Sequence, residues 1–128
     1  MGWIIAEAWD SSLLRGVADD WIKSEFKGSN ERGFIESRFR QINGFDGINT
    51  SWTKLLKHTS GIWEIRLKCA GKQIRMLARE GSNQRLVILS ACVKKDKIPE
   101  LCFTKAEQQW AKIEKDELDV RDYPLDGG

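Results

Sequence analysis

Cationic side chains recur between Gly61 and Lys97 of this 128-residue chain: Arg66 and Lys68, then Arg75 and Arg79, then Lys94, Lys95 and Lys97. A guanidinium is planar, stays charged at cellular pH and engages two oxygens of one phosphate or carboxylate at once. Glu64 stands two residues before Arg66. Its carboxylate could accept a proton, or could pair across strands with Arg66 or Arg75. Upstream lie Lys54, Lys57 and His58, the sole imidazole. A group that changes charge near neutral pH suits proton transfer, although an exposed loop histidine commonly has no such role. The sequence shows no Gly-rich phosphate cradle and no nucleophile with a matched base. One histidine and three cysteines without Cys-x-x-Cys spacing make a zinc site unexpected, and no cofactor is expected. What remains is a cationic surface.

Strand-like segments must carry it. From Ile62 to Cys69, Trp63, Ile65, Leu67 and Cys69 alternate with Glu64, Arg66 and Lys68. From Gln73 to Arg79, Ile74, Met76 and Ala78 oppose Gln73, Arg75 and Arg79. Arg85 to Cys92 is almost wholly apolar, as a strand covered on both faces would be. Ala70-Gly71-Lys72 and Gly81-Ser82-Asn83 supply residues that tolerate positive φ. An antiparallel meander follows, with one oily and one basic face; Trp63, Ile65, Ile74, Met76, Val87 and Leu89 are its expected core.

Charge is polarised along the chain. Gly61 to Lys97 holds nine Lys or Arg against three Asp or Glu, a net of +6, whereas the remainder has 12 against 16, a net of −4. The overall +2 therefore conceals a basic region suited to a polyanion, either nucleic acid or an acidic protein segment. Outward Arg and Lys on strands are also ordinary solvation. No apolar run approaches the roughly 20 residues of a membrane span, so no membrane partner is expected. Cys69, Cys92 and Cys102 read as reduced thiols, which points to the cytoplasm.

Before the meander, Trp3 to Ala8 reads as a strand, and Asp10 or Ser11 as the cap of a helix carrying Leu13, Leu14, Val17, Ala18, Trp21, Ile22 and Phe26. Asn30 can cap a second helix with Phe34, Ile35, Phe39 and Ile42, ended by Asn43-Gly44. Phe45 to Ser60 is a connection anchored by Trp52, Leu55 and Leu56. After the lysines, Thr104 to Glu107 has capping-box spacing ahead of a helix lined by Ala106, Trp110 and Ile113. Residues 1–120 form one expected domain, with 121–128 as a flexible tail.

Ile62-Trp63-Glu64-Ile65-Arg66, Ile74-Arg75-Met76-Leu77 and Leu86-Val87-Ile88-Leu89, followed by Lys94-Lys95 and Ala106, resemble the RelE/ParE toxin superfamily. The phage-derived, HigB-like branch is the nearest in pattern, over about Leu55 to Trp110. Two positions depart: Ile74 replaces the usual aromatic, and Cys92-Val93 the usual Gly-Phe. The resemblance implies an α+β fold with an N-terminal strand, a helical hairpin, a mainly antiparallel four-stranded sheet and a C-terminal helix. It further implies the toxin of a type II toxin–antitoxin system, a ribosome-dependent mRNA endonuclease in which the RNA's own 2′-hydroxyl attacks the neighbouring phosphate. The expected partners are a cognate helix-turn-helix antitoxin and mRNA on the ribosome. Carried over, Arg66 and Arg75 are the basic active-site positions, with Glu64 where a lysine is usual and His58 as a further catalytic candidate. Lys54, Lys57, Lys68, Arg79, Lys94, Lys95, Lys97 and Phe103 are the RNA-binding set. Phe103 can stack in place of a missing tyrosine but carries no proton. The alternative is a non-catalytic interaction protein, either a gyrase-binding ParE-like toxin or a degenerate phage-borne relative that only binds an antitoxin.

Overall fold

The structure, a computed structural model, describes residues 3–44 and 52–125. In chain order it contains β1 (Ile4–Asp10), β2 (Arg15–Gly16), α1 (Val17–Glu25), α2 (Ser29–Asn43), β3 (Thr53–Leu55), β4 (Trp63–Cys69), β5 (Lys72–Glu80), β6 (Arg85–Lys94), α3 (Glu100–Glu114) and β7 (Asp119–Asp122). The class is α+β, but the sheet is not the expected four-stranded, mainly antiparallel one. It is a mixed seven-stranded sheet in the order β2-β1-β6-β5-β4-β3, with β7 on β1. The β4–β5–β6 meander is antiparallel, and β1 runs parallel to β6. The unforeseen strands β2, β3 and β7 span two to four residues each. So few positions cannot display a period-two pattern.

The tight β4–β5 turn forms because Ala70 (φ 53°) and Gly71 (φ 76°) both occupy the left-handed region, as the favoured two-residue hairpin requires. One sheet face packs Ile5, Ile65, Leu67, Ile74, Met76 and Ile88 against Ile22, Ile35, Phe39 and Ile42 of α1 and α2. The other packs Ile62, Leu77, Val87 and Leu89 against Cys102, Ala106 and Trp110 of α3. The face expected to be basic is therefore apolar under α3 and basic only beyond it. Of the expected core, Trp63 alone is half-buried, its Nε1 donating to Glu80 at 3.1 Å.

Helix starts differ from the sequence reading. Asp10 accepts from the amides of Ser12 and Leu13 and so caps a turn, leaving Leu13 and Leu14 63% and 74% exposed instead of inside a helix. The first residue outside α2 is Gly28, which places Asn30 within the helix. α3 starts directly after Pro99, a residue suited to a helix entrance. Thr104 then bonds back to the Glu100 carbonyl, and the capping box does not form. At the C-terminal end, Arg121 and Asp122 belong to β7, and Tyr123 is buried edge-on to Phe39 at 5.0 Å, which gives the start of the expected tail a fixed place. Residues 126–128 of that tail, and 45–51 of the expected connection, lie outside the described residues.

One polar interaction crosses all of this. Glu7, fully buried on β1, accepts from the Ala18 and Asp19 amides at 2.8 and 2.9 Å, so it serves as the cap that Gly16 cannot supply. Its other oxygen is 2.8 Å from both Nε and Nη2 of Arg121 on β7. A Cβ on Gly16 would lie 2.2 Å from the Glu7 carboxyl carbon, which explains a glycine there. Burial pushes the Glu7 carboxyl above its usual 4.5, against the pull of the Asp19 amide and Arg121. Glu7→Ala should cost at least the roughly 0.5–2 kcal/mol of a lost N-cap, rising toward the roughly 3–5 kcal/mol of a broken buried pair. Gly16→Ala should also destabilise, and urea denaturation of both variants checks this. A raised folded-state value means this proton's stabilisation is complete below pH 4.5 and is lost as pH rises through that raised value. Glu7→Gln should remove that pH dependence.

Candidate nucleic-acid interface

Strand register assembles the basic surface. Lys54 on β3 faces Glu64 on β4, which faces Leu77 on β5 and then Ser90 on β6. In the next row Arg66 faces Arg75, which faces Cys92, and beyond it Lys68 faces Gln73, which faces Lys94. Directly opposed residues share a face, so Glu64, Arg66, Lys68, Gln73 and Arg75 stand together beside the part of the sheet where Leu77 and Ser90 meet α3.

Two arginines opposite one another repel, and Glu64 offsets that repulsion. Its carboxylate is 3.3 Å from Arg66 Nε and 3.8 Å from Arg75 Nε. Neither Nε, although buried, makes a hydrogen bond. Arg75 is the more constrained: its side chain is 12% exposed, Nη1 donates to the Ile74 carbonyl and Nη2 to Gln73 Oε1. Arg66, at 40%, reaches solvent. The unit is one fixed guanidinium, one freer guanidinium and a carboxylate holding both, which suits an oxyanion arriving from solvent.

Two cavities flank it. One of about 300 Å³ is lined by Arg38, Trp52, Arg66, Lys68, Gln73 and Arg75. Another of about 450 Å³ has Leu56, Ile98 and Phe103 as apolar lining and Lys54, Lys57, Lys94 and Lys97 as cations, with Asp96 among them. A larger cavity of about 610 Å³, between the β1–β2 hairpin, α1 and α3, mixes Arg15, Lys105 and Lys112 with Asp10 and Asp20 and stands apart from the arginine pair.

The structure thus brings together Glu64, Arg66, Lys68 and Arg75, and beside them Lys54, Lys57, Lys94, Lys97 and Phe103. Three expected residues are elsewhere. Arg79 lies 4.8 Å from the Trp110 ring and donates to Ser60, which makes it a fastening between α3 and the sheet. His58 is exposed in a turn at φ 61°, and neither it nor exposed Lys95 lines either cavity. Sequence reasoning missed Arg38, whose guanidinium sits 4.8 Å from Trp52 and 5.1 Å from Phe34. The i,i+4 spacing of Phe34 and Arg38 was the available signal.

A thiol pair also adjoins the site. Cys92, opposite Arg75, hydrogen-bonds to Cys102 at the start of α3, while the Ser90 hydroxyl donates to the Cys102 carbonyl at 2.8 Å and lies 3.3 Å from its sulfur. All three cysteines are free thiols. The Cys92 hydrogen bond, with Ser90 and Lys105, lowers Cys102 to about 7, whereas sharing that bond and burial raise Cys92. Among the described residues, no group of three His, Cys, Asp or Glu could hold a metal ion, and no helix is long and apolar enough to cross a membrane.

The chain was compared with protein-family models, curated proteins and solved structures, and nothing matches in any of the three.

Ultraviolet titration of the native protein should show one thiolate appearing with a midpoint of about 7. Cys92→Ala should move it up toward the usual 9.0, and an unmoved midpoint would remove the pair's role. Because the folded value is depressed, its stabilisation is present above pH 9.0 and lost as pH falls through about 7.

Proposed function

We propose that this chain is a RelE/ParE-type toxin that cleaves mRNA on the ribosome and is neutralised by a helix-turn-helix antitoxin. The observation that carries this reading is the opposed Arg66–Arg75 pair, held on rigid strands by a buried carboxylate and flanked by lysines and Phe103. In this reading the 2′-hydroxyl of the RNA gives its proton to solvent and attacks the adjacent phosphorus, the bond to the 5′-oxygen breaks as that oxygen takes a proton from solvent, and the transition state gains negative charge on the phosphoryl oxygens. Arg75 and Arg66 stabilise that charge, and Arg75, fixed beforehand, needs little reorganisation. Glu64 is a positioning residue: it keeps two like charges close enough to meet one phosphate. Lys54, Lys57, Lys94 and Lys97 hold the backbone on one side, a contact spread over several residues and weakened by salt. An acidic antitoxin segment would cover the same cations.

A second reading, a non-catalytic gyrase- or antitoxin-binding protein, draws on Glu64 being engaged by both arginines and on Phe103 carrying no proton. Induced expression separates the two. Wild type should arrest growth with cuts inside translated codons, mapped by primer extension. Arg75→Ala should abolish both while the purified variant keeps its fold by circular dichroism, and Arg75→Lys should restore little, since an ammonium lacks the two-pronged geometry. Single lysine-to-alanine changes should weaken toxicity by degrees. Arrest with intact mRNA, or full toxicity of Arg75→Ala, would remove the endonuclease reading.

A further inference from the structure

We propose that the cavity of about 300 Å³ between Arg38 of α2, Trp52 and strands β4 and β5 is a nucleobase subsite for single-stranded RNA, with Trp52 and Arg38 as its stacking platform. The proposal rests on the reading that an RNA phosphate meets Arg66 and Arg75, and it names where the attached base goes.

Three observations carry it. The first is the platform. The Arg38 guanidinium lies 4.8 Å from the Trp52 ring and 5.1 Å from that of Phe34, and Nη1 donates to Gln41 Oε1 at 2.8 Å, so the group is restrained and not a free surface charge. Unstacked RNA bases are bound on aromatic rings and guanidinium planes, where both dispersion and cation–π attraction act. The second is proximity. The Arg66 amide donates to the Trp52 carbonyl at 2.6 Å, which ties the ring's backbone to the strand that carries the phosphate-binding arginine. A base on Trp52 and its phosphate on Arg66 and Arg75 are thus neighbours within one cavity. The third is the lining. Among the described residues, four cations and no carboxylate line it, and Gln73 adds an amide able to donate to or accept from a base edge. The volume lies at the small end of the roughly 300–1,000 Å³ of ligand sites, enough for one nucleotide. Charge alone would suit an acidic peptide equally; the ring-and-guanidinium stack favours a planar base.

Binding to the full chain decides this with three probes: adenosine 3′-monophosphate, inorganic phosphate and a short oligoglutamate. The nucleotide should bind at least about tenfold more tightly than phosphate, since stacking contributes on that scale. Trp52→Ala should erase that advantage while leaving phosphate affinity unchanged, Trp52→Phe should keep most of it, and Arg38→Met should reduce it. Equal affinity for nucleotide and phosphate overturns the subsite. So does undiminished nucleotide binding in folded Trp52→Ala, or oligoglutamate binding that matches the nucleotide. If Trp52→Ala does not fold, undiminished nucleotide binding by Arg38→Met overturns it instead. Nucleotide binding as expected, in a protein that cuts no mRNA, supports the subsite and sinks the endonuclease reading. Cutting with unchanged rate and site choice in Trp52→Ala does the reverse.

Discussion

A carboxylate with no access to water must find its partners inside the protein, and Glu7 finds them on two elements at once. It takes two amides from the open end of α1 and a guanidinium from β7, while its own strand pairs in parallel with β6. Burying that charge is costly, and the contacts recover the cost only if the elements meet in this one arrangement. β1 is thereby seated beside β6 with α1 crossing it, and the chain after α3 must return to supply Arg121. Trp9 completes the corner, with the Arg121 guanidinium 3.8 Å from its ring centre.

Glu64 offers an instructive contrast. It too is buried, at 7% exposure, and it too faces guanidinium groups. Glu7 has its oxygens satisfied at 2.8–2.9 Å, whereas the Nε atoms around Glu64 remain without hydrogen bonds. A fully satisfied polar cluster rigidifies a fold, whereas a buried donor left without a partner is costly. The first carboxylate ties two strands and a helix together, and the second holds two guanidinium groups at the solvent edge of the sheet. Sequence alone could not tell these glutamates apart, since both sit in strand-like runs.

The site was partly legible because its strands obey a strict alternation. Period two placed Glu64, Arg66 and Lys68 on one face and Arg75 with them, and the register delivered that grouping. Arg79 obeys the same alternation yet is lost to the site, because α3 reaches it and Trp110 takes its guanidinium. Arg38 was invisible for the opposite reason: it belongs to a helix on the other layer, and only the approach of Trp52 at the sheet edge gives it a role.

Local physics, written in the sequence, determined the antiparallel meander, the Ala70-Gly71 turn, the end of α2 at Asn43-Gly44 and the apolar stripes that cover the sheet. Each depends on neighbours in the chain. Tertiary structure decided what depends on distant partners: the parallel β1–β6 pairing, the short strands, and the helix starts, where Glu7 replaces a local cap. It also decided the reach of β6. Leu77 pairs with Ser90 and Ala78 with Ile88, so Leu89 is an extra residue in the ladder. Leu89 and Ser90 consequently both turn toward α3, and Cys92 and Lys94 follow onto the basic face. Simple alternation from Leu86 would have sent them to the opposite side. A bulge is set by how two strands and a helix fit together, and no period within one strand records it.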